Sequence, residues 1–102
     1  MENPNNYGVL SKLITFMRNS GDVNKAEKYI KKSKSLVMNV NDTGLSYCEG
    51  LFYKYKMQPN LALQKFNKSR RNPFYLYESI YHMIDIYLNP EQDIYFSKLH
   101  ES

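Results

Sequence analysis

Residues 24–34 read NKAEKYIKKSK and residues 61–71 read LALQKFNKSRR. Each stretch holds an alanine, a large apolar residue four places on, and a serine three beyond that. These are Ala26, Ile30 and Ser33 in the first, and Ala62, Phe66 and Ser69 in the second. The 102-residue chain has only two alanines, and they stand 36 positions apart, 62 against 26. A composition so poor in alanine that places both at matching sites points to a geometric demand for a small side chain there.

Working outward, the residues around both stretches recur at three- and four-residue steps, the mark of one apolar helix face. Tyr7, Leu10, Leu13, Ile14 and Met17 form the first such stripe. Asn3-Pro4 ahead of them suits a helix start, since asparagine caps and proline tolerates the first turn. The stretch NSGDV (19–23) breaks the run. Gly21 suits a left-handed C-cap, and Asp22 is expected to cap the next helix. Val23, Ala26, Ile30, Ser33 and Val37 lay out a second stripe, and MNVNDTG (38–44) reads as loop. Leu45, Cys48, Leu51, Phe52 and Tyr55 mark a third helix, MQPN (57–60) turns the chain, and Ala62, Phe66 and Ser69 mark a fourth. RNPF (71–74) repeats the Asn-Pro start. Ile80, Met83, Ile84 and Tyr87 then mark a fifth helix, stopped by LNP (88–90). No alternating strand pattern competes, so the fold is all-α, in short hairpins.

Matching hairpins call for a repeat test. Gly50 and Tyr53 precede Ala62 by twelve and nine residues, and Ile14 and Met17 precede Ala26 by the same intervals. With Phe66 and Ser69, or Ile30 and Ser33, this is the spacing of the tetratricopeptide repeat, a helix–turn–helix unit of about 34 residues. Ile14, Met17, Ala26, Ile30, Ser33, Gly50, Tyr53, Ala62, Phe66 and Ser69 are therefore the expected packing residues. Two antiparallel helices approach closely only where side chains are small. Gly50 costs about 1 kcal/mol against alanine inside a helix, which is sensible where another backbone or an aromatic ring packs over it. The expected organisation is a repeat segment over 1–90: a hairpin at 6–37, a hairpin at 45–70 and the first helix of a third unit at 74–88. Residues 91–102 are a tail or the start of a further helix. That makes about two and a half repeats stacked as an α-solenoid. Such arrays need three or more repeats with polar caps, so the chain reads as a piece of a longer array or a truncated relative of one.

Composition narrows the function classes. The chain is 42 % hydrophobic with ten tyrosines, whose polar tips favour a core with wet edges. A net charge of +4, from 11 lysines and 3 arginines against 10 acids, permits an acidic partner without requiring one. Cys48 lies in an apolar run and reads as a buried free thiol. No apolar run approaches the ~18 residues of a membrane span, and MENPNNYG is no signal peptide. Glycine-rich phosphate loops, paired-histidine metal spacings and nucleophile–base pairs are missing, so neither catalysis nor a cofactor or metal is expected. His82 and Asp85, three apart, read as a hydrogen-bonded surface pair.

The stretches ENPNNYGVLSKLITFMR, YCEGLFYKY, QPNLALQKFNKSRR and YHMIDIYLNP resemble, in order and spacing, a segment of the tetratricopeptide repeat protein 21 family. The resemblance runs from Glu2 to Pro90. YCEGL and MIDIYLNP are its more specific parts. It implies an internal fragment of the large repeat subunit of intraflagellar transport complex A, acting in retrograde ciliary transport and cilium assembly. It further implies location in cytoplasm and cilium, protein partners among the other complex A subunits and cargo adaptors, and no catalysis. Family members are several times longer, and they tend to place a glycine in the turn that Lys56, Met57 and Gln58 occupy here.

In repeats of this kind the first helix of each hairpin lines the concave face. That face would carry Ser11, Thr15 and Arg18, then Tyr47, Leu51, Lys54 and Tyr55, then Glu78, Tyr81 and Asp85. Aromatics flanked by charge suit an extended peptide or a neighbouring helix, although Tyr47 and Leu51 also suit packing within the array. The lysine, arginine and asparagine of a chaperone-tail clamp are replaced by Ser11, Thr15, Cys48, Glu78 and His82. An alternative function is a stand-alone adaptor whose basic rim binds nucleic acid or anionic lipid, through Lys31, Lys32 and Lys34 with Lys65, Lys68, Arg70 and Arg71. Nucleic acid is disfavoured, because cations at helix C-termini already serve the helix dipole.

Overall fold

The structure is a computed structural model that describes residues 7–36 and 42–89. It contains α1 (Tyr7–Asn19), a 3-10 turn (Val23–Ala26) running into α2 (Glu27–Leu36), α3 (Thr43–Tyr55), α4 (Pro59–Ser69) and α5 (Pro73–Leu88). The expected start at Asn3-Pro4, Val37 of the second stripe, and residues 91–102 lie outside the described residues.

Helix α1 buries Leu10 and Ile14 and is closed by a Schellman turn. Gly21 takes φ +83°, its amide bonds to the Arg18 carbonyl, and the Asp22 amide reaches back to Met17 at 2.8 Å. The expected cap by Asp22 is not made: its side chain bonds to no helix amide. The next element opens as a tight 3-10 turn, with the Lys25 amide on the Asp22 carbonyl. The Asp22 carboxylate pairs with the Lys25 ammonium at 3.0 Å instead.

Helix α3 begins at Thr43, inside the stretch expected to be loop. Asp42 is the reason. Its Oδ1 accepts from the Leu45 amide at 3.0 Å, a side-chain cap, while Oδ2 accepts from the Tyr7 hydroxyl at 3.1 Å. Gly44 is accordingly helical, and the ring of Tyr7 lies so close over it that a methyl group there would collide. The Cys48 thiol, wholly buried, bonds to the Tyr7 carbonyl at 3.5 Å. Burial, helped by Glu49 and Asp42, pushes that thiol up to about 12, so it is inert as a nucleophile at neutral pH.

The second hairpin closes over Gly50. A Cβ added there would stand 2.6 Å from Cε1 of Phe66, so the ring occupies the space a side chain would need. Phe66 and Ala62 are fully buried. At the end of α4, Ser69 donates to the Phe66 carbonyl at 3.2 Å, which leaves Ser79 of α5 to donate to Ser69 at 2.5 Å. Asn72 caps α5 through the Phe74 amide at 2.9 Å, with Pro73 in the first turn. The core is thus Leu10, Ile14, Ala26, Ile30, Leu45, Cys48, Leu51, Phe52, Ala62, Phe66 and Ile86.

The stripe expected for α5 is corrected. The helix buries Ser79, His82 and Ile86, whereas Ile84 is 51 % and Tyr87 69 % exposed. Ser79, His82 and Ile86 stand 34 residues after Leu45, Cys48 and Phe52, which are also buried. Both sets are the face a first helix turns to the hairpin before it. Ile84 lies 34 after Gly50, on the face that α3 turns to its own second helix. Among the described residues α5 has no such helix, so that stripe is bare.

Candidate partner-binding cleft

Helices α1, α3 and α5 border an open cleft of about 270 Å³ lined by Ser11, Lys12, Thr15, Tyr47, Leu51, Tyr55 and His82. Five of these, Ser11, Thr15, Tyr47, Leu51 and Tyr55, belong to the expected concave surface. Lys12 and His82 do not. Leu51 is also a core residue, only 3 % exposed, so it forms the floor and offers little surface. Ser11 is occupied in donating to the Gly8 carbonyl at 2.9 Å. The guanidinium of Arg18 sits 5.1 Å above the centre of the Tyr55 ring, a cation–π contact at the rim. Glu78 and Tyr81 are exposed on α5, Tyr81 standing edge-on to His82 at 5.3 Å.

His82 is where the sequence reading fails. It is buried, not half of a surface pair with Asp85. Its ring stacks on Phe66 at 5.2 Å with 12° between planes. The Lys54 ammonium stands between the two residues, 3.0 Å from His82 Nδ1 and 2.8 Å from Asp85 Oδ2. Burial, then the Lys54 charge, lowers the His82 pKa to about 4 against a weaker pull from Asp85. Burial would raise the Asp85 carboxyl, but the hydrogen bond and charge of Lys54, together with the Asn89 hydrogen bond and His82, hold the group below its ordinary value.

This arrangement fixes the proton positions. An ammonium only donates, so Nδ1 of the neutral imidazole accepts, and the ring proton sits on Nε2. That proton points to the Tyr47 hydroxyl at 3.4 Å. Tyr47 is held by rings on three sides: stacked on Tyr75 at 5.3 Å, edge-on to Phe66 at 5.9 Å, and tilted to His82 at 5.9 Å. Burial first, then the nearby Glu78 charge, raises its pKa well above the usual phenol value.

The expected packing residues fall as follows. Ile14, Ala26, Ile30, Ser33, Gly50, Ala62, Phe66 and Ser69 are buried, and Met17 and Tyr53 are half-buried against the core. On the basic rim, Lys31 pairs with Glu27 at 3.4 Å and Arg70 bonds to Asn67 at 2.7 Å. Lys34 of α2 and Lys65 of α4 both reach Glu49 of α3, at 3.5 and 3.4 Å. Glu49 is buried, so these lysines neutralise an interior carboxylate. A second cleft, of about 450 Å³, is lined by Thr43, Gln64, Asn67, Lys68 and Arg71. Among the described residues no group of histidine, cysteine, aspartate or glutamate is placed to hold a metal, and no helix is long and apolar enough to cross a membrane.

The family model described as the TT21 fifth ARM repeats domain matches residues 1–88. The chain belongs to the tetratricopeptide repeat protein 21 family. It is 37 % identical to tetratricopeptide repeat protein 21B of Xenopus laevis over 102 residues, 99 % of this chain and 8 % of that protein. It is 35 % identical to tetratricopeptide repeat protein 21A of Homo sapiens over 92 residues, 89 % of this chain and 7 % of that protein. With the tetratricopeptide repeat protein 21 homolog of Caenorhabditis elegans the figure is 30 % over 94 residues, 90 % of this chain and 7 % of that protein. The chain therefore spans less than a tenth of the length of these relatives. The family model is described by armadillo repeats and the relatives by tetratricopeptide repeats. The two-helix unit and the 34- to 36-residue spacing found here match the second description.

Proposed function

We propose that the chain is a window of a protein-interaction scaffold, the large repeat subunit of intraflagellar transport complex A, working in retrograde ciliary transport and cilium assembly. Membership of the tetratricopeptide repeat protein 21 family over 1–88 carries this reading. Its setting would be cytoplasm and cilium, its partners the other complex A subunits and cargo adaptors, and its role would involve no catalysis or cofactor. The cleft between α1, α3 and α5 is the place on this segment where a partner peptide would lie.

Fractionation of cells into isolated cilia and cell bodies, probed with an antibody against residues 42–60, tests the assignment. A ciliary band far heavier than 12.1 kDa, co-purifying with the complex, is the expected result. A species near 12 kDa absent from cilia would overturn it. The alternative of a basic rim for nucleic acid or anionic lipid is weakened by the Glu49 pairing of Lys34 and Lys65. Charge reversal at Lys68, Arg70 and Arg71 that abolished binding to the chain with its fold intact would restore it.

A further inference from the structure

Among the described residues, the Tyr47 hydroxyl in the cleft has a proton with no internal acceptor. Lys54 forces His82 Nδ1 to accept, His82 Nε2–H donates to the Tyr47 oxygen, and the Tyr47 proton is therefore directed elsewhere. Phe66, Tyr75 and His82 lock the ring, so the donor is preorganised and costs little entropy on binding. Across the cleft α1 contributes the Thr15 hydroxyl and the exposed Lys12 ammonium, while the Tyr55 ring supplies an apolar wall above the buried Leu51. The acid nearest the network, Asp85, is already engaged by Lys54 at 2.8 Å. Glu78, exposed on α5, is the one acidic side chain that acts on Tyr47 from that helix.

We infer that this cleft, on the reading that it is a partner site, selects an acidic peptide by placing a glutamate or aspartate carboxylate on the Tyr47 hydroxyl beside Lys12, with a neighbouring aliphatic side chain against the Tyr55 ring. A carboxylate is an acceptor only and carries the charge that Lys12 complements. A charge-assisted bond to it is stronger than one to a neutral amide. A phenol is protonated, hence donating, throughout the neutral range, and burial with the Glu78 charge moves Tyr47 further in that direction.

The test uses the protein at its native length and a fluorescein-labelled hexapeptide of alternating leucine and glutamate, read by anisotropy against its leucine–glutamine counterpart. The glutamate peptide should bind at least about tenfold more tightly, the ratio expected from one charge-assisted bond. Tyr47→Phe keeps the ring stack and should erase that preference while sparing the glutamine peptide. Lys12→Gln should weaken the glutamate peptide, and Glu78→Gln should tighten it. Equal affinities for the two peptides, both lost in Thr15→Arg, would overturn the carboxylate and leave the cleft a peptide site. A preference that survives Tyr47→Phe would overturn the role of the hydroxyl. No binding of either peptide up to about 1 mM would overturn the partner site itself.

Discussion

The two hairpins make the same turn with different residues. At the end of α1, Gly21 sits at φ +83°, and at the end of α3, 36 residues later, Met57 sits at φ +64°. The bonding is the same: the amides of Asp22 and Gln58 reach back five residues, to Met17 and Tyr53, at 2.8 and 2.9 Å. The left-handed conformation is free for glycine and costs a side-chain-bearing residue on the order of 1 kcal/mol. Inside the helices the preference reverses. The first hairpin has Ile14 and Ile30 where the second has Gly50 and Phe66. The second hairpin thus carries its glycine where a ring must fit and lacks one where the backbone must turn. Hairpin geometry is conserved between the two units while the volume that fills it is redistributed.

The sharpest way to break this comparison is at the ring. Phe66→Ala should cost about 3–5 kcal/mol in urea unfolding, because it removes the side chain that covers Gly50 and carries His82. Next in size is the response to acid. His82 has a folded pKa near 4 against an unfolded value of 6.5, so between these values the unfolded chain binds the extra proton. The stabilisation from keeping His82 neutral is present above pH 6.5 and is lost as pH falls toward 4. The loss amounts to roughly 3 kcal/mol, read from urea midpoints at a series of pH values. Asp85, held low by Lys54, adds a further loss below its ordinary value. His82→Phe should flatten the upper part of that profile. A profile unchanged in this variant would place the acid sensitivity elsewhere.

Smaller effects sharpen the comparison. Gly50→Ala should destabilise by about 1–3 kcal/mol, since its Cβ meets a buried ring. In a Phe66→Ile background, which recreates the first hairpin's filling, the same change should cost much less, and a double-mutant cycle measures the difference. Additive costs would show that the glycine does not answer to the ring. Met57→Gly should stabilise by about 1 kcal/mol, with Gly21→Ala losing a similar amount. A neutral Met57→Gly would mean that the turn is not strained.

How much of this was legible follows from the range of each interaction. Ala26, Ala62 and Gly50 could be read because a hairpin is a local object whose partners recur at fixed spacing. The Asp42 cap was missed, and its sentence in the sequence, NDTG, reads equally as loop until Tyr7 is known to bind the same carboxylate. The buried face of α5 was misread because the helix is apolar nearly all round. Periodicity finds such a stripe but not the neighbour that covers it. His82 lay furthest from view. Its partners Lys54 and Tyr47 are 28 and 35 residues away, and nothing in a His-x-x-Asp spacing announces a lysine between them. The family, by contrast, was legible in ordered motifs, since those carry packing and surface together.

One carboxylate has a mechanical consequence. Glu49 is shared by Lys34 from the second helix of one hairpin and Lys65 from the second helix of the next. A bend that opens the seam between the hairpins pulls the exposed Lys34 away from that buried charge, while Lys65, in the same hairpin as Glu49, stays with it. The seam is thus tethered by one exposed lysine, and the charge left behind when that tether lets go stays compensated inside the second hairpin.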